Sequence, residues 1–205
     1  MQPDPTRILE ALDGELAPIR HIAERFGDVT IEAGTGAALI SHRPAIGPEV
    51  YACVLFPGLP TSAILRYEEI RRSSHRDIIE IPEVYKSVLV RFNGAVFFGM
   101  DLFGIPLTML NKPPLLDRSA RQPRDLGMAN SSWRKRYAPH PSQFQFGSAP
   151  YSKEENTAYF LNEDGTVEAL LRGGRRMRGW SSLAAFLPDE LARTEALFRE
   201  IHGER

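Results

Sequence analysis

The chain has 205 residues, of which 42% are hydrophobic and 25% are charged, a composition typical of a globular domain with an extension or of two small domains. The 25 Lys and Arg residues nearly balance the 26 Asp and Glu residues, which argues against a surface that binds nucleic acid or anionic membrane throughout. The single cysteine excludes an internal disulfide. No secretory signal or membrane-spanning run is recognisable, so we expect a cytoplasmic protein.

The near-zero net charge conceals an uneven distribution along the chain. Residues 1–70 carry five basic and ten acidic side chains, residues 71–150 carry twelve and six, and residues 151–205 carry eight and ten. Two interpretations are open. The acidic and basic side chains pair with one another within one fold, or they form a surface with regions of both signs that binds a charged partner.

The N-terminal residues predict a helix followed by short strands. From Thr6 to Phe26, apolar residues recur every three or four positions, as in an amphipathic helix. Because Gly14 and Pro18 interrupt this pattern, we expect a kink or two short helices. Strand patterns follow at 28–33 and 37–40, and residues 50–56 predict a buried strand.

The middle of the chain predicts two helices, two strands and a long insert. A helix is expected over 60–70, and a second begins with Pro82 in its first turn and stops at Asn93 and Gly94. Residues 95–106 predict two short strands. The segment 111–143 is rich in Pro, Arg, Ser and Asn and predicts a long loop, with a short helix around 126–136.

The C-terminal part predicts a strand, a hairpin and helices. Residues 144–148 predict a strand, and strand patterns at 157–161 and 166–171 flank a turn that ends in Asp-Gly, a strong hairpin signal. Ser181 and Ser182 predict the start of a helix. We expect Pro188 to restart it as a second helix.

No motif in the sequence predicts catalysis, a cofactor or a metal. The histidines lack the spacing of a helical metal site, and one cysteine is too few for structural zinc. The Gly34-Thr-Gly36 turn is too short for a phosphate-binding loop, and Gly-x-Ser-x-Gly is absent. We therefore expect a protein that is not an enzyme.

Arginines beside aromatic residues form the candidate binding residues. Within the insert, Trp133, Arg134, Arg136 and Tyr137 combine the residue types that anchor protein interfaces. The same types pair phosphates and stack on bases in nucleic-acid sites. Anchoring of the loop by the two rings, with solvated or ion-paired arginines, is the favoured interpretation.

Several motifs taken in order resemble the SUKH superfamily of Smi/Knr-like domains. They are residues 81–86 (Ile-Pro-Glu-Val-Tyr-Lys), Phe-Asn-Gly at 92–94, Leu-Phe-Gly at 102–104, Phe-Gln-Phe-Gly at 144–147, the 157–167 hairpin and the 180–187 helix start. The resemblance covers about residues 60–192. It departs from the family at Phe146, where isoleucine is frequent, and in the long insert.

The resemblance implies an α+β fold in which helices pack against a mixed, mainly antiparallel sheet. It implies a SUKH-like domain over 60–205, with residues 1–59 as an N-terminal extension that packs on it. It also implies a non-catalytic immunity protein that binds a cognate toxin, such as a nuclease. A regulatory adaptor of the Smi/Knr type is the alternative, and nucleic-acid binding ranks lower. Trp133, Arg134, Arg136 and Tyr137 are then the expected partner-binding residues, and no membrane, cofactor or metal partner is expected.

Overall fold

The fold is built on one antiparallel sheet. The computed structural model describes residues 10, 12–47, 50–73, 80–110 and 122–203. Parts of the predicted first helix (6–9) and of the insert (111–121) lie outside these residues.

The α+β class is confirmed: among the described residues, nine strands form one open sheet whose spatial order follows the chain. Every pair of described strands is antiparallel, in agreement with the expected mixed, mainly antiparallel sheet. The strands are β1 (Val29–Ile31), β2 (Ala38–His42), β3 (Tyr51–Pro57), β4 (Phe92–Phe97), β5 (Met100–Leu102), β6 (Phe144–Pro150), β7 (Asn156–Leu161), β8 (Val167–Leu170) and β9 (Arg176–Trp180).

Five α-helical segments accompany the sheet in the described part of the chain: α1 (Ala17–Phe26), α2 (Thr61–Ser73), α3 (Glu83–Arg91), α4 (Leu126–Met128) and α5 (Leu183–His202). As the pattern predicted, α1 is preceded by a separate 3-10 turn at Gly14–Leu16, and Gly27 ends it with a φ of 74°. The predicted short helix of the insert is confirmed. There α4 continues as a π-helical turn at Ala129–Trp133 and a 3-10 turn at Arg134–Tyr137.

Two sequence predictions are corrected by the structure. Helix α3 ends at Arg91 and the chain enters β4 at once, so Asn93 and Gly94 lie in a strand. Helix α5 continues through Pro188 as a single helix, because buried Phe186, Leu187 and Leu191 hold both halves against the core. Their burial outweighs the cost of about 3 kcal/mol of an interior proline.

The main core lies between one face of the sheet and the helices. It is a continuous apolar cluster to which the sheet contributes Leu55, Phe97 and Tyr159 and α5 contributes Phe186. Glu190 of α5 accepts a hydrogen bond from the Tyr159 hydroxyl and binds Arg193. Burial and the neighbouring Glu190 raise the pKa of Tyr159 well above its usual value. This polar cluster joins α5 to the middle of β7.

The opposite face of the sheet carries a row of cross-strand partners that crosses all nine strands of the described residues. The row runs through Thr30, Leu39, Val54, Val96, Asp101, Ser148, Ala158, Leu170 and Arg176. Two smaller apolar clusters, around Val54 and around Phe160, cover the two halves of this face. Asp101 stands between them, and its carboxylate accepts a bond of 2.8 Å from Arg124. Burial raises the pKa of Asp101 to about 6, although Arg124 lowers it.

The side chain of Asn93 hydrogen-bonds to the backbone of the segment after β5, in place of a neighbouring strand. Its side-chain oxygen accepts from the N–H of Ile105 at 2.8 Å, and its amide nitrogen donates to the Ile105 carbonyl at 2.8 Å. Asn93 is 1% exposed, so water cannot replace either bond. Asn93 was expected to end a helix. Instead it is buried in β4, and its side chain joins this strand to the segment after β5.

We expect Asn93→Ala to lower the free energy of unfolding by about 2 to 3 kcal/mol, because both backbone groups of Ile105 lose their partner inside the core. Chemical denaturation measures this change. Asn156→Ala is the matched control, since Asn156 is exposed at the start of β7. Equal losses in the two variants would contradict the role of Asn93.

We expect Asp101→Asn to stabilise the protein at neutral pH. The folded-state pKa lies above the unfolded value of about 4, so ionisation of Asp101 costs stability as the pH rises from about 4 through 6. Relative to the natural protein, the variant should gain about 3 kcal/mol at pH 7.5 and almost nothing at pH 4 and below. Urea titrations between pH 4 and 8 test this, with exposed Glu154→Gln as the control. A gain that is equal at all pH values would overturn the assignment.

Candidate functional site

The described residues form a groove of about 660 Å³ on the surface. Four segments that are far apart in sequence form it. They are the start of α3 at 80–84, the insert at Asn130 and Arg134, residues 141–144 before and at the start of β6, and the 161–165 end of the β7–β8 hairpin. Concave surfaces assembled from several elements are the usual places where proteins bind partners and ligands.

The floor of the groove is apolar and continuous with the core. Ile81, Phe144 and Leu161 form it, and each is at most 5% exposed. Pro82 and Val84 form one wall, and the Val84 side chain is 39% exposed. Helix α2 supports this wall. Its Glu68 accepts a hydrogen bond from the N–H of Ile81 at 2.9 Å and forms a salt bridge of 3.3 Å with Lys86.

Asn130 fixes the insert against β6. Its side-chain oxygen accepts from the N–H of Gln145 at 2.7 Å, and its amide donates to the Gln145 carbonyl at 2.8 Å. One turn further, Arg134 donates to the carbonyls of His140 (2.7 Å) and Pro141 (3.2 Å). The wall opposite Val84 is therefore held by side chains of the insert.

Gln143 joins that wall to the hairpin. It is 7% exposed and donates to Asn162 at 2.9 Å and to Glu168 at 2.7 Å. Its oxygen accepts from the N–H of His140 at 2.9 Å. The loop and the hairpin turn thus share a buried polar link, which makes the groove a formed surface rather than a gap between loops.

Four carboxylates and one guanidinium group line the groove: Glu80, Glu83, Glu163, Asp164 and Arg134. Glu83 binds Lys86 at 2.9 Å. Asp164 accepts from the hydroxyl and the N–H of Thr166, which lowers its pKa. The rim is therefore negatively charged at neutral pH.

The structure does not bring the four predicted partner-binding residues together. Only Arg134 lines the groove. The ring of Trp133 packs edge-on against Phe103 in the core, with centroids 5.9 Å apart. Tyr137 packs against Phe160 on the other face of the sheet, and Arg136 is exposed. The two aromatic residues anchor the insert, as the favoured interpretation of this segment expected.

Sequence reasoning missed the acidic members of the groove. Glu83 lies in the first turn of the helix that the sequence predicts after Pro82, and the 162–165 segment forms the predicted hairpin turn. Nothing local signals that these positions, eighty residues apart, lie around the same groove. Only the pairing of β6 with β7 and the packing of α3 bring them together.

One serine and one histidine are in contact beside the groove. His140 Nδ1 lies 3.0 Å from the hydroxyl of Ser142 and 3.4 Å from the backbone nitrogen of the same residue. A catalytic histidine needs a group that orients its second ring nitrogen, and no residue in the described ranges bonds to that nitrogen of His140. The contact is a local feature of the loop.

The other chemical candidates are placed as follows. Cys53 is fully buried in β3, and burial raises the pKa of its thiol, so it is a core residue. In the described part of the chain, no group of three His, Cys, Asp or Glu side chains has the arrangement of a metal site. None of the described helices combines the length and the apolar character that a membrane crossing needs.

Comparison of the chain with models of protein families, with curated proteins and with solved structures gave no match. The resemblance to the SUKH superfamily therefore rests on the sequence motifs alone.

We expect Arg134→Ala to loosen the wall formed by residues 138–143. Its loss removes two charge-assisted bonds to the carbonyls of His140 and Pro141, so amide exchange at Gln143, which bonds to His140, should accelerate about tenfold. Hydrogen–deuterium exchange measures this rate. Arg136→Ala is the control, since Arg136 is exposed on the same 3-10 turn. The same exchange rate in both variants would contradict the anchoring role of Arg134.

Proposed function

We propose that the chain is a non-catalytic protein-binding domain that acts as an immunity protein and neutralises a cognate toxin by covering its functional surface. The observation that carries the proposal is the groove of about 660 Å³. Its walls are cross-linked through Asn130, Arg134 and Gln143. A surface formed before binding avoids the ordering cost that weakens association.

The chemistry of the lining supports binding over catalysis. The side chains that line the groove are carboxylates, amides, one guanidinium group, one serine and apolar residues. The resemblance to Smi/Knr-like domains adds the expectation of a toxin as the partner. An adaptor of the Smi/Knr type would use the same groove but would not protect cells, so a protection assay separates the two functions.

We expect the natural chain to restore growth when it is produced together with its cognate toxin. Val84→Trp should abolish this protection, because the indole would fill the groove from the wall of α3. Its affinity for the purified toxin should fall at least tenfold, about 1.4 kcal/mol. Colony counts and calorimetric titration measure the two effects.

Val90→Trp is the matched control on the same helix. Val90 is 46% exposed and lies outside the groove, so this variant should protect as well as the natural chain. Protection by Val84→Trp would show that the groove is not the binding surface. Failure of the natural chain to protect, with a partner still bound, would favour the adaptor.

A further inference from the structure

The charges on the groove rim are largely unneutralised. Glu80, Glu163 and Asp164 are exposed, and within the described residues no basic side chain lies within 4.0 Å of any of them. Glu83 is the only rim carboxylate with a described cationic partner, Lys86. An unneutralised group of like charges raises the local concentration of oppositely charged groups and selects them.

Among the described residues of the lining, Arg134 is the one cation, and it offsets only one of the four carboxylate charges. The guanidinium nitrogen of Arg134 donates to the carbonyls of His140 and Pro141, so it is directed to the backbone of its own wall. Asp164 keeps its charge, since its two bonds from Thr166 lower its pKa. The groove therefore presents its negative charge at the hairpin turn and at the residue preceding the α3 wall.

The apolar walls of the groove require that the bound side chain also has an apolar part. Val84 is 39% exposed, Pro82 lines the groove on the same wall, and Pro141 lines it on the wall of the insert. An arginine side chain combines an aliphatic stem, which packs on such a wall, with a planar cation that binds carboxylates with two parallel hydrogen bonds. Lysine offers the stem but only a point charge.

We propose that the groove binds an arginine-bearing segment of the partner protein, with the stem of the arginine against Val84 and Pro82 and its guanidinium group among Glu80, Glu163 and Asp164. This inference rests on the proposed function, because it names the chemistry of the partner at the same groove. It predicts that the partner carries a positively charged loop and that the rim carboxylates determine which partner binds.

The first test uses a fluorescent ten-residue peptide of glycine and serine that contains three arginines. We expect fluorescence anisotropy to show binding that weakens as salt is raised. The same peptide with the neutral isostere citrulline in place of arginine should not bind. Equal binding of the two peptides, or binding that salt does not change, would overturn the proposal.

The second test removes the rim charge without altering shape. Glu80→Gln, Glu163→Gln and Asp164→Asn combined should weaken binding of the arginine peptide by about threefold per carboxylate, or about thirtyfold together. The matched control is Glu10→Gln, Glu69→Gln and Glu154→Gln combined, since these exposed carboxylates lie outside the groove. It makes the same change in net charge and should weaken binding less than twofold. Similar losses in the two triple variants would show attraction by net charge alone and overturn the proposal.

The toxin assay distinguishes the immunity function from the arginine preference of the groove. If the natural chain and the rim variant protect cells equally and bind the toxin equally, the immunity function stands and the arginine proposal fails. If the natural chain does not protect, while the peptide still requires the rim carboxylates, the immunity function fails and the arginine preference of the groove stands.

Discussion

The bonds between Asn130 and the backbone of Gln145 are the constraint on which the groove depends. They hold the helical part of the insert on β6 with the same two-bond pattern that a neighbouring strand would supply. Arg134 follows one turn later and positions the loop at 140–143, which Gln143 in turn joins to the hairpin. A single buried amide thus converts an arginine-rich insert into one wall of a concave surface.

Local patterns were sufficient for most elements of the fold. The 157–171 hairpin, the strand at 51–57 and the helical start at Ser182 follow from alternation, turn residues and caps, which act over a few residues. Strand β9 was missed because Arg176, Arg178 and Gly179 hide any alternation of apolar residues. Its identity comes from pairing with β8. Asn93 and Pro188 were misjudged because long-range packing decided their conformations.

The site was less predictable than the fold for a physical reason. Residues that line the groove come from segments whose proximity follows from strand order and helix packing, and no short-range signal encodes this. Arg134 was chosen for its residue type, and its neighbours Trp133 and Tyr137 proved to be anchors on opposite sides of the sheet. Pairing within the fold, one of the two interpretations of the uneven charge, has a structural counterpart. Arg91 of the basic middle pairs with Asp13 of the acidic N-terminal part, and Arg25 pairs with the distant Glu195.

An open sheet of nine strands exposes the backbone of its last strand, and such an edge can template stacking of one molecule on another into polymers. Here the edge is β9, where Arg176 and Arg178 are held in place by Glu168 and Asp189. The register shift opposite Ala169 and Leu170 also distorts the ladder beside this edge. A second sheet that paired with this strand would have to displace both ion pairs and match an irregular border, so the side chains of β9 disfavour edge-to-edge pairing of two molecules.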